Sequence, residues 1–120
     1  METFQEHYDS LMRTIARRNM NVDMQAIERA IRYAEKKHAS QKRKDGSPYI
    51  IHPLAVAEIV AEIGLDTDAI LGALLHDCIE DTDSTYDDIS RQFGSTVAAL
   101  VEGVTKLTRV EYSTLEEQQM

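Results

Sequence analysis

Apolar residues recur three and four positions apart along most of the chain, the spacing of helices that each bury one face. Leu11, Met12 and Ile15 mark an opening helix. Asp23 is placed to cap the next, whose apolar face runs Ile27, Ala30, Ile31, Ala34 and which fades at Ser40. Gly46 and Pro48 break any regular pattern, so Lys42 to Tyr49 reads as a loop. Pro53 suits the first residue of a further helix, with Val56, Ile59, Val60 and Ile63 as its expected face and Gly64 as its stop. Thr67 starts another, which carries Ile70, Leu71, Leu74, Leu75 and Cys78. Thr85 with Asp88 resembles a capping box opening a short helix through Ile89 and Phe93 to Gly94. Ser95 is read as the cap of a helix with Val97, Leu100, Val101 and Val104 along one side. No strand-like alternation of useful length occurs, and the predicted fold class is all-α, a helical bundle with short connections.

The final residues are unusual. Ser113 with Glu116, and Thr114 with Glu117, look like capping boxes, yet the chain stops at Met120. A helix of so few residues is marginal without tertiary support. The expectation is therefore a bundle cut inside a domain at its C-terminal end.

Composition narrows the function classes. The 120 residues suffice for one compact domain, and 42% hydrophobic with 28% charged residues is ordinary for a globular protein. No apolar run approaches the ~20 residues of a membrane span, and METFQEHYDS has neither the basic start nor the apolar stretch of a secretory signal. Cys78 is the single cysteine, in keeping with a reducing compartment, and the expected location is cytoplasmic. A net charge of −8, from 21 acids against 13 bases, argues against direct nucleic-acid binding. The bases are uneven, because Lys36, Lys37, Lys42, Arg43 and Lys44 crowd into nine residues. Such a run is commonly a solvated helix end; beside the right chemistry it becomes an anion site for a small phosphorylated ligand.

That chemistry lies in His76-Asp77-Cys78-Ile79-Glu80-Asp81. On one continuous helix, His76, Asp77, Glu80 and Asp81 would share an arc, while Leu71, Leu74, Leu75 and Cys78 face the core. Acids packed so closely repel one another, and a divalent cation is the simplest compensation. His52, on another element, is a plausible further ligand. Two imidazoles and a carboxylate suit manganese, iron or zinc better than calcium. Taken singly, His52 reads as a capping or core histidine and the acids as a solvated helix end; jointly those readings explain the arrangement poorly.

Three segments then carry a resemblance. Gln41 to Pro53, QKRKDGSPYIIHP, resembles the opening motif of the hydrolase domain of RelA/SpoT homologues. Leu74 to Thr82 is similar to that family's HDxxED segment, and Val101 to Leu107 to its DGVTKL segment. The resemblance covers roughly residues 24 to 120, with Ser47, Glu102 and Thr108 departing from the usual pattern. It implies an HD-type helical domain that hydrolyses the 3′-pyrophosphate of ppGpp and pppGpp. Carried over by position, His52, His76 and Asp77 would bind the metal, usually Mn2+, with another divalent transition metal as an alternative. Glu80 and Asp81 would orient or deprotonate the attacking water, and Arg43 and Lys44 would contact the nucleotide. The family's last ligand, an aspartate in a segment resembling LADRLHN, has no counterpart in these 120 residues. The resemblance thus implies three protein ligands here, a longer parent protein continuing past residue 120, and little or no hydrolysis by this chain alone. Residues 1–22 form the extra N-terminal helix expected of long family members, and 23–120 carry the motifs. Two other readings are a non-catalytic regulatory HD module of an alarmone synthetase and an HD phosphohydrolase for another nucleotide.

Overall fold

A computed structural model describes residues 2–18 and 21–104 of the chain. Six helices follow in order: α1 (Phe4–Arg17), α2 (Met24–Lys37), α3 (Ile51–Ile63), α4 (Thr67–Leu75), α5 (Cys78–Asp81) and α6 (Tyr86–Phe93). Residues 95–104 are again helical and are termed α7. Among the described residues there is no strand, only an isolated bridge between Lys42 and Pro48. The all-α expectation holds. The possible capping boxes at Ser113 and Thr114, and the end of the third motif, lie outside the described residues.

Local chemistry sets most of the boundaries. The Thr3 side chain accepts the Glu6 amide at the start of α1, Asp23 accepts that of Ala26 before α2, and Asp66 that of Ala69 before α4. The box at α6 is reciprocal: Thr85 accepts the Asp88 amide while the Asp88 carboxylate accepts the Thr85 amide. Gly64 ends α3 at φ +88°, a left-handed conformation that glycine adopts without a Cβ clash.

α1 packs on α3, α3 on α4, and α4 on α2. Leu11, Ile27, Ile31, Leu54, Ile70, Leu74, Leu75, Ile89, Val97 and Val101 are buried together in one core. Polar ties lie at its margins. Ser10 Oγ donates to Glu58 at 2.6 Å, joining α1 to α3, and the Tyr8 hydroxyl donates to Glu28, joining α1 to α2.

Three sequence expectations need correction. The buried side of α3 is Leu54, Ala57 and Ala61, while Ile59 and Ile63, expected to face inward, are 60% and 64% exposed. Small alanines let α1 and α4 come close, and in a helix apolar on most sides the spacing of large residues does not select a face. Ser95 does not cap α7 from outside; it is already helical, and the Ala98 amide donates to the Gly94 carbonyl. Of the expected α7 side, Val97 and Val101 are buried with Ala98, whereas Leu100 and Val104 are exposed.

The third correction concerns the site. The helix begun at Thr67 ends at Leu75, and His76 and Asp77 form a turn before the single-turn α5. Asp77, at φ −93°, ψ −4°, keeps a right-handed turn conformation between the two helices. The His76 Nδ1–H donates to the Ala73 carbonyl at 2.6 Å, a side chain competing for a backbone acceptor. His76, Asp77, Glu80 and Asp81 therefore do not share the arc of one continuous helix.

Candidate metal centre

Two local structures converge on one patch. The first is the loop between α2 and α3. The Arg43 amide donates to the Ser47 carbonyl and the Gly46 amide to the Arg43 carbonyl, both at 2.9 Å, with Gly46 at φ +88°. Asp45 Oδ1 accepts from both the amide and the hydroxyl of buried Ser47, bonds that hold the Asp45 carboxyl below its usual range. The turn leaves Arg43 and Lys44 exposed at its tip. It returns through Tyr49, whose amide donates to the Gln41 carbonyl, and delivers His52 in the first turn of α3.

The second structure is the turn between α4 and α5. There the His76 Nε2 lies 3.1 Å from Asp77 Oδ2, and the His52 Nε2 reaches the same oxygen at 3.4 Å. The two imidazoles stand edge to face, 5.2 Å between centroids. His52, His76 and Asp77 each offer one ligand atom, and those atoms all lie within 4.8 Å of one another. The three are partly exposed, so a cation and a substrate could both reach them.

Electrostatics fits such a cluster. Burial lowers the His52 pKa; the Asp77 carboxylate opposes this, while the charges of His76 and Arg43 add to it. Burial also works against charge on His76, but the Asp77 carboxylate and the Ala73 carbonyl outweigh it and hold that imidazole above its ordinary value. At Asp77 burial is again outweighed, by His76, the Tyr49 hydroxyl and His52, and the carboxyl is held below its usual range. The site thus keeps an ionised carboxylate facing two imidazole nitrogens. The Ala73 contact also fixes the His76 ring through its Nδ1–H and turns Nε2 toward Asp77, where a cation could replace the Nε2 proton.

Of the other expected site residues, Asp81 joins the cluster through Tyr49, whose hydroxyl donates to Asp77 Oδ2 at 2.8 Å and lies 3.2 Å from Asp81 Oδ2. Glu80 is exposed on α5. Arg43 is near enough for its charge to be felt at His52; the Lys44 side chain remains at the loop tip.

A family model described as an HD domain matches residues 30–120. The chain belongs to the HD domain family. Relatives of this HD domain include the guanosine-3′,5′-bis(diphosphate) 3′-pyrophosphohydrolase of Aquifex aeolicus, 57% identical over 86 residues, or 72% of this chain and 12% of that protein. The bifunctional (p)ppGpp synthase/hydrolase SpoT of Escherichia coli is 47% identical over 93 residues, 78% of this chain and 13% of that one. A solved structure titled as a metazoan ortholog of SpoT that hydrolyses ppGpp superposes with a TM-score of 0.63 at 34% identity. The match covers 66% of this chain and 47% of the other. The chain therefore spans about an eighth of the curated relatives it matches.

Sequence reasoning missed three residues of this HD domain. Tyr49, which the sequence pattern marks only as the end of a loop, bridges two carboxylates. Gln41 donates through Nε2 to the Asp81 carbonyl at 2.7 Å, and buried His38 contacts Gln41, Tyr49 and Cys78. The only signal for them was their position within or next to the first motif.

Proposed function

We propose that this HD domain removes pyrophosphate from the 3′ position of guanosine tetra- and pentaphosphate, in the cytoplasm, as the hydrolase domain of a longer protein. A divalent cation would be held by His52, His76 and Asp77, with manganese the first choice. The observation that carries the reading is the convergence of three ligand atoms from α3 and the α4–α5 turn. Two imidazole nitrogens and one carboxylate oxygen suit a transition ion, and the Ala73 carbonyl orients the His76 ring for that role. The activities named for the relatives support the substrate, and their far greater length supports a larger protein.

When bound, the ion would neutralise charge on phosphate oxygens and make water more acidic at neutral pH. The remaining work falls to the chain. Glu80 and Asp81, beside the cluster on α5, would orient the attacking water and take its proton. The water oxygen joins the phosphorus as the bond to the ribose 3′-oxygen breaks, and that oxygen leaves with a proton. Arg43 offers a planar fork and Lys44 a point charge at the exposed tip of the motif loop, which suits them to grip the nucleotide. The presence of both the His76-Asp77 and Glu80-Asp81 pairs favours this reading over a non-catalytic regulatory module.

The test is metal-dependent release of pyrophosphate from ppGpp by the longer protein that carries this domain, beside its His76→Ala, Asp77→Ala variant. Manganese should restore activity to chelator-treated wild type and leave the variant inactive. Wild type that releases no pyrophosphate with any divalent ion would end the hydrolase reading.

A further inference from the structure

Tyr49 sits where the two halves of the site meet. Its hydroxyl donates to Asp77 Oδ2 at 2.8 Å and lies 3.2 Å from Asp81 Oδ2, so one proton has two carboxylates in reach. Its ring lies between two imidazoles: His38 at 4.6 Å between centroids, tilted by 33°, and His52 at 5.9 Å, edge to face. We propose that Tyr49 is a positioning residue, its hydroxyl fixing Asp77 as a cation ligand and aligning Asp81 beside it.

The support behind the ring is a closed hydrogen-bond chain. Gln41 commits its Nε2 to the Asp81 carbonyl at 2.7 Å, which turns its Oε1 toward His38 Nδ1 at 3.0 Å. Nδ1 therefore carries the His38 proton, and the other ring nitrogen faces the Cys78 thiol at 3.8 Å. The Gln41 amide, both His38 ring nitrogens and the Cys78 thiol each have a partner, and His38 is 2% exposed. A satisfied network anchored on the buried His38 and Cys78 holds its members in one geometry. His38 is thus a fixed wall against which Tyr49 stacks, and Gln41 ties the loop to the end of α5. Burial and the two carboxylates push the phenol pKa far up, so Tyr49 remains a donor at any physiological pH.

The proposal rests on the metal-site reading above, and the test separates the two. Mn2+ binding is followed by the loss of the free-ion electron paramagnetic resonance signal, using the 120-residue chain and its Tyr49→Phe variant. Tyr49→Phe keeps the ring between His38 and His52 and removes only the hydroxyl. Loss of an outer-shell partner should weaken Mn2+ binding about tenfold or more, while circular dichroism and thermal melting show a folded protein. A merely structural role would lower the melting temperature and leave the Mn2+ affinity of folded protein unchanged, which overturns the proposal. A second readout needs no variant. Zinc, a diamagnetic probe, should shift the Cζ nuclear magnetic resonance signal of Tyr49 in wild type, and an unmoved signal in protein that binds zinc overturns the proposal as well. Wild type that binds neither ion sinks the metal-site reading itself, and the proposal with it.

Discussion

At the scale of single residues, the chemistry depends on what each side chain is allowed to touch. His76 is tied through Nδ1 to Ala73 and so presents Nε2 toward Asp77. Cys78, one residue past Asp77, is 0% exposed, and burial pushes its thiol pKa up to about 12. Thiolate is the reactive form, so this cysteine should be inert in the native protein. Iodoacetamide at neutral pH should leave Cys78 unmodified in buffer and label it fully in denaturant, as counted by mass spectrometry. Rapid labelling of folded protein would contradict the packing described. The residue types of the site were legible in sequence, because His52, His76, Asp77 and the acids after them are unusual together. Tyr49, Gln41 and His38 were not. A tyrosine after proline reads as turn packing until the loop is folded against α5, and then its hydroxyl meets two carboxylates from residues 28 and 32 positions further on.

At the scale of elements, capping chemistry was readable and facing was not. Thr85→Ala removes one side of the α6 box and should cost about 1 kcal/mol in urea denaturation. The Asp88 carboxyl is held below its usual range by the Thr85 amide and hydroxyl. A carboxyl depressed on folding stabilises the native state above its unfolded pKa and loses that contribution as pH falls through the folded value. Asp88→Asn should therefore be less stable than wild type at neutral pH, with the difference shrinking only as pH falls below about 4, the unperturbed aspartate value, and gone once pH is under the lower folded-state value. α3 provides the opposite lesson. Ala57 is fully buried and Ile59 is 60% exposed, contrary to the sequence pattern. Ala57→Leu should destabilise by about 1–3 kcal/mol through overpacking, and Ile59→Lys by less than about 0.5 kcal/mol. Chemical melts of the two variants check this, and a reversed order would restore the face expected from sequence. The turn at His76 and Asp77 was likewise invisible to periodicity, since it arises from a side chain taking a backbone acceptor.

At the scale of the whole molecule, a cation bound across α3 and the α4–α5 turn would join two elements that otherwise meet by packing. A ligand that binds only the folded state stabilises it by mass action, about 2.7 kcal/mol at a hundredfold excess over its dissociation constant. For a domain near this size that raises the melting temperature by roughly 10 °C. Manganese should produce such a rise in calorimetry, a chelator should reverse it, and Asp77→Ala should show none. By itself the sequence determined the positions of most helices, the caps at Asp23 and Thr85, the stops at Gly64 and Gly94 and the candidate ligand types at the site, because each depends on neighbours a few residues apart. Only the tertiary structure decided which side of α3 is buried, where the helix after Thr67 breaks, and that His52 meets His76 and Asp77 on one oxygen. Those outcomes depend on how closely α1 and α4 approach the alanines of α3, and on which polar groups meet once they have done so.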